Sequence, residues 1–178
     1  MSADALSTPL AAQVAEISHQ DLRQLVRREL MLFPGTPGEN ENSPRTFDRL
    51  GVYEAAILGA LHQDLGLTWP KAAVVFSRLA KMLAENLPGK MRWHVPAEKA
   101  RTILMDRRDS ENPVFLLFTF TILDEEVAAQ PAFGWDDLTQ TMRSIREMGS
   151  SAGDAMGILN LTSLLARTDA NLAAMEIN

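Results

Sequence analysis

The chain has 178 residues, of which 46% are hydrophobic and 22% are charged, and it contains no cysteine. This composition is typical of a globular protein with one large or two small domains, and it excludes disulfides, thiolate metal sites and a cysteine nucleophile. The net charge of −6 means that any contact with a polyanion must come from locally clustered cations.

Membrane association is not expected from the sequence. No apolar run reaches the roughly 18 residues that a membrane-spanning helix needs. The first residues, MSADALSTPLAAQVAEI, lack the basic start and the unbroken apolar core of a signal peptide. We therefore expect a cytoplasmic protein.

The first two predicted elements are short helices. The first begins at Ser7 or Thr8 with Pro9 in its first turn and continues to Ile17. The second is capped by Ser18 or Asp21, ends at Pro34, and has one apolar side. That apolar side consists of Leu22, Leu25, Val26 and Leu30. Its opposite side is polar and cationic, with Gln20, Arg23, Gln24, Arg27 and Arg28.

A loop and two longer helices follow. Residues 34–44 (PGTPGENENSP) are rich in proline, glycine and small polar residues, which predicts a long turn or a β-wing. A third helix is predicted from Phe47 to Asp64, with Gly66 in the left-handed conformation that commonly ends a helix. A fourth is predicted from Trp69 to about Leu87.

The second half of the chain is predicted to contain strands as well as helices. Strands are predicted at residues 92–95, 102–105, 114–123 and 155–159, and helices at 135–148 and 161–175. The run at 114–123, VFLLFTFTIL, is almost entirely apolar, which indicates a strand that is buried on both faces.

The order of elements in the first half resembles a known family. After the basic helix and the Gly/Pro loop come Arg45-Thr46-Phe47-Asp48, then a helix that ends in Leu65-Gly66-Leu67, then a further helix. In this order, residues 10–79 resemble the winged helix-turn-helix DNA-binding domain of the MerR family of transcription regulators. The resemblance implies a MerR-like winged domain at residues 1–88. The predicted strands and helices of the second half indicate a small α/β dimerisation or effector domain at residues 89–178, so we expect an α+β chain.

The resemblance also implies a function. The second helix would lie in the major groove of double-stranded DNA while the wing reaches the backbone. Arginines and glutamines suit phosphates and base edges. The expected DNA-binding residues are Gln20, Arg23, Gln24, Arg27, Arg28, Arg45 and Arg49. Among these, Arg27 and Arg28 hold phosphates, Arg23 with Gln20 or Gln24 approaches base edges, and Arg45 anchors the wing.

Two observations keep an alternative open. Between Ile17 and Leu22 the chain has only Ser-His-Gln-Asp, about three residues fewer than is usual in the family, so the turn is tightened or the first helix is shifted. Arginines on an amphipathic helix are also commonly a solvated face. The alternative is a protein-interaction adaptor, antirepressor or heterodimer partner that reuses the winged fold without binding DNA.

Other functional classes find little support. The three histidines, His19, His62 and His94, are far apart and lack a carboxylate at metal-ligand spacing, so no metal or cofactor is expected. No nucleophile-elbow or phosphate-loop motif occurs, and Asp124-Glu125-Glu126 is best interpreted as a solvated strand end, so we do not expect an enzyme.

A DNA-binding role implies a homodimer or heterodimer, because two copies double the number of contacts. The candidate surface is an apolar stripe on the last helix, with an intramolecular core as the equal alternative. The stripe consists of Leu161, Leu164, Leu165 and Leu172.

Overall fold

The structure is a computed structural model. It describes residues 5–38, 44–85, 113–120, 127–147 and 155–176. The chain divides into two compact units. The terminal unit contains Met1–Ala73 and Leu164–Asn178, and the central unit contains Val74–Ser163. The predicted boundary near residue 88 lies outside the described residues, as do the predicted strands at 92–95 and 102–105.

The described chain combines helices with two small antiparallel sheets, so the expected α+β class is confirmed. The helices are α1 (Thr8–Val14), α2 (His19–Arg27), α3 (Arg49–Gln63), α4 (Trp69–Glu85), α5 (Gly134–Glu147) and α6 (Leu161–Glu176). The strands are β1 (Leu6–Ser7), β2 (Thr46–Phe47), β3 (Val114–Phe120), β4 (Val127–Phe133) and β5 (Ala155–Asn160).

The first two helices are shorter than predicted. The N-caps are Ser7 and Ser18, and the Ser18 hydroxyl accepts a hydrogen bond of 2.9 Å from the Asp21 amide. Each helix ends where a glutamate takes a left-handed conformation, Glu16 with φ 57° and Glu29 with φ 55°. The prediction that α2 continues to Pro34 is therefore wrong, because the amide of Leu30 bonds back to Leu25 O and closes the helix. Residues 15–18 form the turn between α1 and α2.

The predicted loop at residues 34–44 is closed at its base by two backbone hydrogen bonds. The amide of Thr36 donates to Thr46 O at 2.7 Å, and the amide of Thr46 donates to Thr36 O at 3.0 Å. Strand β2 also pairs with β1 in antiparallel register. Residues 39–43, within this loop, lie outside the described part of the chain.

Helix α3 is the centre of the terminal unit. All twelve residues from Leu50 to Leu61 are buried, so its burial extends well beyond the predicted apolar side. Helix α1 packs against both α2 and α3. After α3, Gly66 has φ 71° and the amide of Leu67 bonds to Leu61 O, which confirms the predicted left-handed end.

The central unit contains an antiparallel sheet with strand order β4-β3-β5. Strand β3 is in the middle, and its residues Val114–Phe118 are buried, as the apolar run predicted. The ring of Phe118 lies over Gly157 of β5, where a Cβ atom would come within 2.0 Å of the ring. Helix α5 covers one face through Leu138 and Met142. The sequence did not predict β4, whose Pro131 is tolerated because the strand is at an edge.

Candidate nucleic-acid interface

The polar side of α2 consists of two parallel rows of residues. Residues four apart on a helix lie on the same side, so His19, Arg23 and Arg27 form one row. We call this the pocket row. Gln20, Gln24 and Arg28 form the neighbouring outer row. All six side chains are exposed, whereas Leu22 and Leu25 are buried beneath them. The helix therefore offers two distinct polar surfaces to a ligand.

The pocket row faces a cavity of about 390 Å³ within the terminal unit. Its walls come from the start of α1, from α2, and from the chain that leaves the loop. The lining residues are Thr8, Pro9, His19, Arg23, Val26, Arg27, Pro44, Arg45 and Phe47. We call this the arginine pocket. It brings together three of the seven sequence-predicted residues, Arg23, Arg27 and Arg45, from two separate parts of the chain.

Arg45 is held in place by the loop that it closes. Its Nη1 donates to Pro34 O at 3.0 Å and to Gly35 O at 2.7 Å. The Thr8 hydroxyl donates to the carbonyl oxygen of Arg45 at 3.2 Å, which ties this residue to α1. Because both hydrogens of Nη1 are used, the Nε and Nη2 groups are the ones that can contact a ligand.

The described lining of the arginine pocket contains no acidic residue. In the described part of the chain, Arg23, Arg27 and Arg28 form no ion pair. Asp21 and Glu29, the acidic residues nearest in sequence to these arginines, do not line the pocket. Arginine side chains with exposed, unpaired guanidinium groups attract anions, and most strongly those that fit the planar fork of donors.

Arg49 lies in a different environment. Its Nη2 donates to Asp169 Oδ1 at 2.5 Å and its Nε donates to Tyr53 Oη at 2.8 Å. The Tyr53 hydroxyl, on a fully buried ring, donates to the same Asp169 oxygen. The hydrogen bond to Asp169 raises the pKa of Arg49. This cluster joins α3 to α6, so the structure separates Arg49 from the arginines of the pocket.

A buried glutamate next to α2 was missed by sequence reasoning. Both carboxylate oxygens of Glu54 accept backbone hydrogen bonds of 2.7 Å, one from Leu32 and one from Phe33. Burial raises the pKa of Glu54 to about 7, although the two amide donors act in the opposite direction. The available signal was a single acidic residue in the middle of an apolar helix. Glu54 fixes the segment that follows α2.

The other candidate residues either make contacts within the fold or lie outside the described residues. His62 stacks on Trp69 with ring centroids 4.0 Å apart, and its Nδ1 lies 2.6 Å from Leu67 O. His94 and the acidic run at 124–126 are outside the described part of the chain. Among the described residues, no three His, Cys, Asp or Glu side chains are grouped as a metal site.

The proposed dimerisation stripe on α6 is largely covered within the chain. Leu161, Leu164 and Leu165 are 1%, 7% and 2% exposed, and only Leu172 keeps intermediate exposure. These burial values favour the intramolecular core, the alternative that the sequence left open. Separately, no helix in the described ranges has both the length and the apolar character needed to cross a membrane.

Comparison with known proteins gives no assignment. No protein-family model matches the chain, and no curated protein sequence matches it significantly. The resemblance to the MerR family therefore depends on the order of residues described above.

Proposed function

We propose that the terminal unit binds double-stranded DNA and that the chain is a sequence-specific transcription regulator. The observation that supports this most strongly is the arginine pocket. Arg23 and Arg27 of an exposed, amphipathic helix lie beside Arg45 of the loop, and the described lining residues include no carboxylate. Phosphate contacts provide much of the affinity of a DNA-binding protein, and arginines are their usual source.

The two rows of α2 would contact different parts of the DNA. The pocket row, together with Arg45, holds the DNA backbone. The outer row carries Gln20 and Gln24, whose amides suit adenine edges, and Arg28, whose fork suits guanine. In this proposal Arg23 contacts a phosphate and Arg28 contacts a base. These roles are the reverse of those expected for the two residues from the sequence. Arg49 contributes through structure rather than contact.

The remaining features of the proposal follow from DNA binding. A terminal unit that works as a MerR-like winged domain would place α2 in the major groove and the loop at residues 34–44 along the backbone. Binding as a homodimer or heterodimer would multiply the few cationic contacts that one copy offers. Such a protein would act in the cytoplasm of a cell whose DNA is accessible there.

A selection experiment tests the proposal. The full chain is incubated with a randomised pool of duplex DNA at two salt concentrations, and bound sequences are determined. Arg27→Ala should weaken binding to all sequences and reduce the salt dependence by about one phosphate contact. Gln24→Ala should instead change the preferred sequence at one position, with a loss of about 1–3 kcal/mol against the parental site.

The matched control is Arg143→Ala. It removes an exposed arginine from α5, in the central unit, and should leave the affinity for DNA unchanged. If the parent enriches no sequence and binds duplex DNA only as weakly as Arg27→Ala does, the proposal is wrong.

The alternative function is an adaptor that binds a protein partner through the same unit. The observation that favours it is the net charge of −6, which opposes association with DNA outside the local cationic surface. Absence of DNA binding, together with a stable complex that Arg28→Ala disrupts, would support this alternative.

A further inference from the structure

The arginine pocket has the size of a small-molecule site. Its volume of about 390 Å³ lies within the range of roughly 300–1,000 Å³ that is usual for ligand pockets. Its walls combine cationic groups with the apolar side chains of Pro9, Val26 and Pro44. A wall of this mixed kind suits a ligand with an anionic head and an apolar body.

Among the described residues, the cations of the pocket have no counter-charge. Arg23 and Arg27 are four residues apart on one helix, an arrangement of like charges that costs about 0.2–0.5 kcal/mol. Arg45 adds a third guanidinium to the same cavity, and none of the described lining residues is acidic. A bound dianion would remove this repulsion and accept hydrogen bonds from more than one arginine.

Arg45 is already positioned to receive such a ligand. Its two bonds to Pro34 O and Gly35 O fix the guanidinium before any ligand arrives. A side chain that is ordered in advance loses less conformational entropy on binding. The exposed Arg23 and Arg27 can then close on the ligand from α2.

We propose that the arginine pocket binds a small organic phosphate, with the phosphomonoester held by Arg23, Arg27 and Arg45 and the organic group packed against Pro9, Val26 and Pro44. The same arginines would hold DNA phosphates, so the bound ester would compete with DNA. This competition rests on the proposed function, whereas the ligand site does not.

Calorimetric titration of the full chain tests the site, with phenyl phosphate and inorganic phosphate as probes at constant ionic strength. Phenyl phosphate should bind one-to-one, about tenfold more tightly than inorganic phosphate, because its ring contacts the apolar wall. Arg23→Ala and Arg27→Ala should each weaken this binding by about tenfold or more. Arg28→Ala and Arg143→Ala remove cations outside the pocket and should change it less than about twofold.

Three results would overturn the site. These are no saturable binding of either probe, equal affinity for the two probes, or a loss in Arg28→Ala as large as that in Arg27→Ala. The last result would mean that α2 attracts anions as a diffuse cationic surface.

A second arm separates the site from the proposed function. Phenyl phosphate is added to complexes of the chain with duplex DNA selected as above. It should release the DNA, and the competition constant, corrected for the DNA concentration, should equal the calorimetric Kd. Phenyl phosphate binding without DNA binding would leave the site in place and refute the proposed function. DNA binding without phenyl phosphate binding would do the reverse.

Discussion

The arginines of the terminal unit lie in two opposite environments. Arg49 donates to Asp169 and Tyr53, and its charge is neutralised inside the fold. Arg23 and Arg27, on a neighbouring element, line a cavity whose described lining residues include no carboxylate. These arginines have the same side-chain chemistry, so the difference comes from their positions in the three-dimensional structure.

The difference indicates which arginines stabilise the fold and which can bind a ligand. A paired, partly buried arginine contributes to stability and has little capacity left for an external anion. Unpaired arginines that share a cavity contribute nothing to stability and repel one another. We therefore expect substitutions in the first group to lower the free energy of unfolding, and substitutions in the pocket to weaken binding while raising the free energy of unfolding slightly.

The largest effect on stability should come from Glu54, the most deeply buried charge of this unit. Its pKa is raised from 4.5 to about 7, so between these values the folded state keeps a proton that the unfolded state releases. Its contribution is therefore fully present below pH 4.5 and is lost as the pH rises to about 7. The loss should approach about 3 kcal/mol.

The measurement is the free energy of unfolding in denaturant from pH 4 to pH 8, for the parent and for Glu54→Gln. The difference between the two should change in the direction given above, because the amide does not titrate. Glu29→Gln removes an exposed carboxylate from the same unit and should stay within about 0.5 kcal/mol of the parent. Parallel pH profiles for the parent and Glu54→Gln would show that folding does not raise the pKa of Glu54, which would contradict the prediction.

A smaller effect should follow from breaking the Arg49 cluster. Asp169→Asn keeps the shape of the side chain but removes the charge that Arg49 and Tyr53 share. Since the Arg49 side chain is 38% exposed, solvent weakens the pair, and we expect a loss of about 1–2 kcal/mol. Arg167→Ala, on the same helix, breaks a more exposed pair with Glu16 and should cost less than about 0.5 kcal/mol. Equal losses in thermal or chemical unfolding would contradict the distinction.

Much of the fold could be predicted from sequence because it depends on local patterns. The helices at α3, α4 and α6, the buried strand β3 and the left-handed Gly66 all have signals within a few residues. The ends of α1 and α2 could not be predicted, because each stops at a glutamate where glycine is usual. Strand β4 was missed because its residues do not alternate between apolar and polar, and because it forms by pairing with β3, which the local sequence does not indicate.

Only part of the candidate site could be predicted from the sequence. Helical spacing identifies Arg23, Arg27 and the outer row as one polar side, but it does not show where that side meets another segment. The partnership of Arg45 with α2, and of Arg49 with Asp169, depends on contacts between residues far apart in the sequence. The apolar run around Glu54 likewise gives no indication that Leu32 and Phe33 supply its hydrogen-bond donors.

The smallest effect on stability should come from the arginine pocket, and it should have the opposite sign. Arg23→Ala or Arg27→Ala removes one of two like charges at helical spacing and should raise the free energy of unfolding by about 0.2–0.5 kcal/mol at low salt. Because the repulsion is exposed to solvent, the gain should disappear at high ionic strength. A loss above about 1 kcal/mol in either variant would place that arginine with Arg49 among the structural residues. An unchanged or raised stability, measured beside weakened phenyl phosphate binding, would assign it to the ligand instead.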